Sequence, residues 1–305
     1  MLQAHGLTRR FGPLLAVDQV SVTALKGRVT GMLGPNGAGK TTTLRMLCGV
    51  LRPDAGTVTL EGLDLLTHGR VARSRLGWLP DAAPAWDELR VDQWLTLRTR
   101  LYGVPTSSVD GVIDRCDLSS VRRRIIGRLS RGYRQRVALA AAIVHNPAVL
   151  ILDEPGTGLD PLQQRAFRSL IRELAEDRAV ILSTHQVADA AAICDDLIML
   201  SGGRVQAAGT IDDLQQAASR GRIALETQAD PAEALAGVSG VESLDTHVLQ
   251  DGWHRTCITP TDASADLRSV IASAVSGAHL QWRQLGPDHG TIDTLIDHHL
   301  DRAEP

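Results

Sequence analysis

Leu33-Gly34-Pro35-Asn36-Gly37-Ala38-Gly39-Lys40-Thr41-Thr42 reads as a complete phosphate-binding loop. Gly34, Gly37 and Gly39 allow left-handed backbone angles, which turn the N–H groups inward around phosphate oxygens. Lys40 is then placed to reach the outer phosphates, and the Thr41 hydroxyl to ligate Mg²⁺. The context agrees. Val29–Leu33 is a short, mostly apolar strand, and Lys40–Leu47 reads as the helix whose N-terminus meets the anion. A strand, an eight-position loop match and a helix in that order predict a chain that binds a nucleoside triphosphate.

Outward from the loop, residues 1 to about 210 alternate apolar strands with helices, the pattern of a parallel sheet covered by helices. Val149-Leu150-Ile151-Leu152 reads as a central strand buried on both faces, and Ala179–Ser183 as a second. Leu197–Leu200 and Arg204–Ala207 flank Gly202-Gly203, which predicts a hairpin. From about Pro84 to Gly127 the apolar spacing turns helical (Leu89, Val91, Trp94, Leu95, Leu97, Leu101), marking a helical insertion. From about Arg222 the character changes again. The pattern predicts strand 223–226, helix 231–235, a hairpin around Asp251-Gly252, helix 262–276, strand 279–285 and a last helix 291–300. That is a βαββαβ-like module with an extra helix.

The bulk numbers exclude more than they assign. A chain of 305 residues has room for one large domain and a smaller one, and a formal net charge of -3 gives no case for nucleic acid as main partner. Lysine occurs only at positions 26 and 40. Cys48, Cys116, Cys194 and Cys257 lack Cys-x-x-Cys spacing and suit reduced thiols in a cytosolic protein. No stretch is long and apolar enough to cross a bilayer, and the N-terminus lacks a signal peptide's apolar core.

Further elements carry chemistry. The Val149–Leu152 strand ends in Asp153 and Glu154, the first placed to hold Mg²⁺ and the second to act as general base on a water. Leu129-Ser130-Arg131-Gly132-Tyr133 precedes an apolar helix that Ser130 would cap, leaving a second helix N-terminus for phosphate. His185 follows the strand Ala179–Ser183 and can sense the γ-phosphate. Gly158-Leu159-Asp160 follows the two acids, Leu76–Asp81 is a strand leading into the insertion, and Phe11 is an aromatic available to stack on a base.

Together these residues resemble the ATP-binding cassette (ABC) ATPases of transporters, over about residues 1–215. Walker A maps to Gly34–Thr41, with Thr42 beyond it. Walker B maps to Asp153, with Glu154 as catalytic base. The signature motif maps to Leu129–Tyr133 through Ser130 and Gly132, the D-loop to Gly158–Asp160 and the switch histidine to His185. Phe11 stands at the A-loop position and Asp81 at the Q-loop position. The resemblance implies an α/β P-loop NTPase cassette, a RecA-like core with a helical subdomain at about 84–145, followed by a small α+β domain at 220–305. It implies ATP and Mg²⁺ as cofactors, with Pro35, Asn36 and Ala38 in the phosphate cradle and Thr41, Asp81 and Asp153 around the metal. It also implies two cassettes head to tail, the simplest case being a homodimer, with ATP between Lys40 of one chain and Ser130 of the other.

Ser130 follows Lys40 by 90 residues, room for a helical subdomain but not a long coiled coil. The downstream module and Arg134-Gln135-Arg136 look like the exporter-type subfamily. The chain would then be cytoplasmic, held at the inner membrane face by an integral membrane permease, with no nucleic-acid partner expected. The alternative is a soluble ABC ATPase of translation or DNA repair. Three positions depart from the family pattern: the signature reads Ser-Arg-Gly-Tyr, Asp81 replaces glutamine, and Gly156 stands where threonine is usual. Trp78, Trp86 and Trp94 either pack in the helical subdomain or line a groove for the permease. The arginines from Arg122 to Arg136 read as a solvated face.

Overall fold

A computed structural model describes residues 1–81, 86–219, 221–249, 251–262 and 265–288. They divide into two compact units, Met1–Ile211 and Asp212 onward. In the first unit the chain runs β1 (Leu2–Phe11), β2 (Leu14–Ala24), β3 (Val29–Leu33), α1 (Lys40–Leu47), β4 (Ala55–Leu60), β5 (Leu63–Asp64), α2 (Gly69–Ser74) and β6 (Leu76–Leu79). Helices α3 (Val91–Tyr102), α4 (Ser108–Arg115) and α5 (Arg131–Ile143) follow. Then come β7 (Val149–Leu152), α6 (Pro161–Ala175), β8 (Ala179–Thr184), α7 (Val187–Ile193), β9 (Asp196–Ser201) and β10 (Arg204–Thr210).

The six-stranded sheet has the order β10-β9-β3-β8-β7-β6, parallel except for β10. β3 lies between β8 and β9, so the loop after it emerges at the sheet's centre, where parallel α/β sheets present their ligand crevice. β3 and β7 are buried at every residue, as a strand covered on both faces requires. The hairpin β9–β10 turns on Gly202 and Gly203, both at positive φ.

The strands of the first 64 residues, β3 aside, correct the expectation of one parallel sheet. β2-β1-β4-β5 form a separate antiparallel sheet. The period-two pattern that makes it is present: Leu2 and Ala4 of β1 and Val20, Val22 and Ala24 of β2 are buried, alternating with more exposed residues, and Gly12 turns the chain between the strands at φ +57. These residues share one core with Leu44, Leu47, Ile151 and Ile181 of the parallel-sheet layer.

The helical segment is tied to the sheet at His145, which is buried beyond the end of α5 and stacks on Tyr102 at 3.7 Å. Its Nε2 meets the Leu76 carbonyl at 3.1 Å, and burial pushes its pKa down to about 4, so the ring is neutral. Of the three tryptophans, Trp94 is buried core and Trp78 packs partly buried against the main core. Trp86 is exposed, its ring 6.0 Å from that of Trp94. Residues 82–85, where the helical insertion begins, lie outside the described set.

Helix α8 (Ile211–Ser219) leads into the second unit. There β11 (Ile223–Thr227), α9 (Ala232–Leu235), β12 (Val241–Val248), β13 (His254–Pro260), α10 (Arg268–Gly277) and β14 (Trp282–Pro287) build an antiparallel sheet of order β12-β13-β11-β14 over one small core. Two boundaries differ from expectation. α10 starts at Arg268 rather than 262, because the Asp266 carboxylate accepts the Arg268 N–H at the helix entry. β14 starts at Trp282 rather than 279, because His279 takes φ +57 and Leu280 N–H bonds back to the Val275 carbonyl, spending those residues on the helix end. The helix expected at 291–300 lies outside the described residues. Among the described residues no helix is long and apolar enough to cross a membrane.

Candidate functional site

The loop between β3 and α1 needs glycine for two different reasons. Gly37 and Gly39 take φ +84 and +97, where an L side chain is strained. Gly34 does not take a positive φ. A β-carbon there would collide with the Leu200 carbonyl, so close packing on β9 is what excludes a side chain. The loop floors an open cavity of about 600 Å³. Phe11, Pro35–Thr42, Asp81, Glu154 and His185 all line it. The structure thus gathers residues from five parts of the sequence at one site.

Lys40, only 6 % exposed, donates to the Gly34 carbonyl at 2.7 Å and the Pro35 carbonyl at 3.2 Å, with Glu154 Oε1 at 3.6 Å. Such partners satisfy the donors of an ammonium removed from water. Both oxygens of the Glu154 carboxylate are engaged: Oε1 faces Lys40, and Oε2 lies 2.8 Å from His185 Nδ1 and accepts from Thr157 Oγ1 at 3.4 Å. Glu154 itself sits at φ +46, a left-handed conformation costly for a side chain with a β-carbon. The surroundings impose it: its N–H donates to Ser183 Oγ at 2.9 Å while Asp153 N–H donates to the Leu79 carbonyl at 2.8 Å.

Asp153, 1 % exposed, does not line the cavity and reaches it through Thr41. Its Oδ1 accepts from Ser183 Oγ at 2.6 Å and Thr41 Oγ1 at 3.2 Å. Burial pushes its pKa up; those two hydrogen bonds pull it back, and the charges of Asp81 and Glu154 add to the rise. Ser183 therefore joins the two acids, holding the carboxylate of one and the N–H of the other. The Phe11 ring is exposed at the rim with the Arg9 guanidinium 5.0 Å from its centroid.

Ser130, Gly132 and Asp160 lie outside this cavity, at the first turns of two helices. Ser130 Oγ accepts from Tyr133 N–H at 3.5 Å as the cap of α5, and Asp160 Oδ1 accepts from Gln163 N–H at 2.8 Å as the cap of α6. The sequence reading missed Ser183 as the link between the acids, Thr157 beside Glu154, and Gly202-Gly203 at the cavity edge. The glycine pair was legible as a turn. Its place beside Gly39, whose β-carbon would stand 3.5 Å from Gly203 Cα, was not. Among the described residues no three His, Cys, Asp or Glu side chains gather as a metal cage.

Comparison with known proteins agrees with this geometry. The family model described as "ABC transporter" matches residues 17–157. The chain is 32 % identical to the daunorubicin resistance ATP-binding protein of Streptomyces coeruleorubidus over 97 % of its own length and 95 % of that protein. It is 36 % identical to the Nod factor export ATP-binding protein I of Ralstonia nicotianae, covering 70 % of the chain and 68 % of the relative. It is 33 % identical to "Probable multidrug ABC transporter ATP-binding protein YbhF" of Escherichia coli over 80 % of the chain, and spans 42 % of that relative's length. Among solved structures, an ATP-binding subunit of an ABC transporter superposes with a TM-score of 0.66 at 27 % identity, covering 71 % of this chain and 92 % of the other. A dimeric post-hydrolysis cassette bound to ADP and Pi shares the fold, with a TM-score of 0.63 at 21 % identity over 69 % of this chain and 98 % of that one. The chain belongs to the ATP-binding proteins of ABC transporters.

Proposed function

We propose that this chain binds and hydrolyses ATP as a head-to-tail homodimer and so drives a separate membrane-embedded permease, in the direction of export. The observation that carries the reading is the convergence of Lys40, Glu154 and His185 on one open cavity floored by a glycine-rich loop. Lys40 would exchange its two loop carbonyls for phosphate oxygens. Glu154 would take a proton from water as that water attacks the γ-phosphorus and ADP leaves. His185, bonded to Glu154, would orient that carboxylate and report on the phosphate.

Thr41 and Asp153 offer the hard oxygen donors that Mg²⁺ takes, one hydroxyl and one carboxylate being the usual protein share when phosphates supply the rest. Asp81 would complete that set from the cavity rim. Bound there, Mg²⁺ neutralises charge on the phosphate oxygens. Phe11 would stack on the base. Ser130, Gly132 and Asp160, outside the cavity of their own chain, are free to close the nucleotide site of a partner copy, where the α5 N-terminus favours an anion. Export is supported by the names of the drug-resistance and Nod factor relatives. A permease would hold the chain at the cytoplasmic membrane face.

Glu154→Gln tests the reading. With ATP and Mg²⁺ it should form a stable dimer by sedimentation, hydrolyse ATP at least about 100-fold more slowly than the native chain, and copurify with a polytopic membrane protein. A variant that stays monomeric with ATP, or comes down with ribosomes or DNA, sinks it.

A further inference from the structure

The N-terminal end of α5, Arg131 to Gln135, is locked to the loop that follows Glu154 within the same chain. Gln135 Nε2 donates to the Pro155 carbonyl at 3.0 Å, one residue beyond Glu154. The Arg131 guanidinium lies so close over Gly158 that a β-carbon there would collide with it, and Gly158 is at φ +73. Gly132, in turn, leaves no room for a β-carbon against the side chain of Gln163. These contacts join two helix N-termini, capped by Ser130 and Asp160, into one packed block. Glu154 belongs to the same block, because its strained backbone is pinned on the other side by Ser183.

We infer that Gln135 and Arg131 are positioning residues that make the loop bearing Glu154 follow the first turn of α5. The inference rests on the proposed head-to-tail dimer, in which Ser130 and Glu154 of one chain serve different nucleotides. A shift of α5 when Ser130 engages the partner's phosphate is then passed through Gln135 and Arg131 to the base at the chain's own site. Neither residue lines the nucleotide cavity of its own chain. Arg131 stands at one of the positions where the signature departs from the family pattern, so the guanidinium on Gly158 is a contact this sequence builds with its own residue.

Gln135→Glu is the informative variant, since it keeps the shape and removes the donor to the Pro155 carbonyl. In the full chain it should lower kcat about tenfold while KM for ATP stays within about twofold, the signature of a group acting on the chemical step. Arg131→Ala should behave alike, with both variants matching the native chain in thermal midpoint. The decisive measurement is a double-mutant cycle in kcat with Ser130→Ala. If Gln135 transmits Ser130 engagement, the double variant is no slower than Ser130→Ala alone. If the two losses multiply, or if Gln135→Glu leaves kcat unchanged or raises KM as much as it lowers kcat, the inference fails. The underlying reading fails separately, when Glu154→Gln remains a monomer with ATP.

Discussion

The cavity over the glycine-rich loop and the sheet of the second unit both concentrate charge, but they treat it differently. In the second unit the charges satisfy one another. Glu226, nearly buried on β11, accepts from Arg283 at 2.7 Å and Arg255 at 3.4 Å; Arg255 reaches Asp288 at 3.2 Å and Arg283 reaches Asp251 at 2.6 Å. Even the Cys257 thiol donates to Asp288, and burial together with that carboxylate pushes its pKa up to about 12. In the cavity, Lys40 is held by backbone carbonyls and a carboxylate at 3.6 Å, partners that a triphosphate can replace. Glu154 is kept in a strained backbone by a serine 29 residues further along the chain. A closed network stabilises; a network with exchangeable partners is what a binding site requires.

The largest expected effects break the cavity's side of this contrast. Lys40→Ala removes its buried cation, and ATP binding measured by calorimetry should weaken by at least about 100-fold. Glu154→Gln should leave binding intact while hydrolysis falls about 10²–10⁴-fold, the usual contribution of a general base. Equal losses of binding and turnover in Glu154→Gln would mean that the carboxylate positions the loop rather than the water.

A middle-sized effect belongs to the second unit. Glu226→Gln keeps the shape but leaves two arginines sharing a neutral acceptor in a nearly buried setting. It should destabilise that unit by about 1–3 kcal/mol in urea unfolding, with ATP affinity unchanged. An equal fall in ATP affinity would blur the contrast and give the second network a share in nucleotide binding.

What could be read beforehand follows the same division. The glycine-rich loop, Lys40, Asp153, Glu154 and His185 announce themselves because backbone geometry and strand ends demand those residue types at fixed local spacing. Ser183 did not, since its role exists only once β7 and β8 lie side by side and bring it against two residues 29 and 30 positions earlier. Gly34 was legible as glycine for the wrong reason: the collision with Leu200 comes from β9, which joins the sheet 163 residues later in the chain's order than β3 ends. The first antiparallel sheet was written in period-two alternation from Leu2 to Ala24, and it was hidden by the stronger parallel pattern that follows.

The smallest predicted effect sharpens the contrast most, because it separates stability from binding at a single atom. Burial holds the Asp153 carboxyl above its usual range, so ionising it opposes folding. Below the carboxyl's unfolded value the group is protonated in both states and nothing is lost; as pH rises from there the penalty develops, and it is complete above the folded value. Asp153→Asn keeps an oxygen to accept from Ser183 and Thr41 while discarding the charge. The variant should therefore be the more stable at pH 7.5, with a higher melting temperature, and the gain should begin to fall as the pH is lowered through the folded value and vanish below the unfolded one. Its affinity for Mg²⁺ in the presence of ATP should fall in the same preparation. A stabilised variant with impaired metal binding would show that the buried carboxylate is retained against the fold's own preference. A destabilised one, with the loss independent of pH, would place Asp153 with Glu226, as a charge the fold needs.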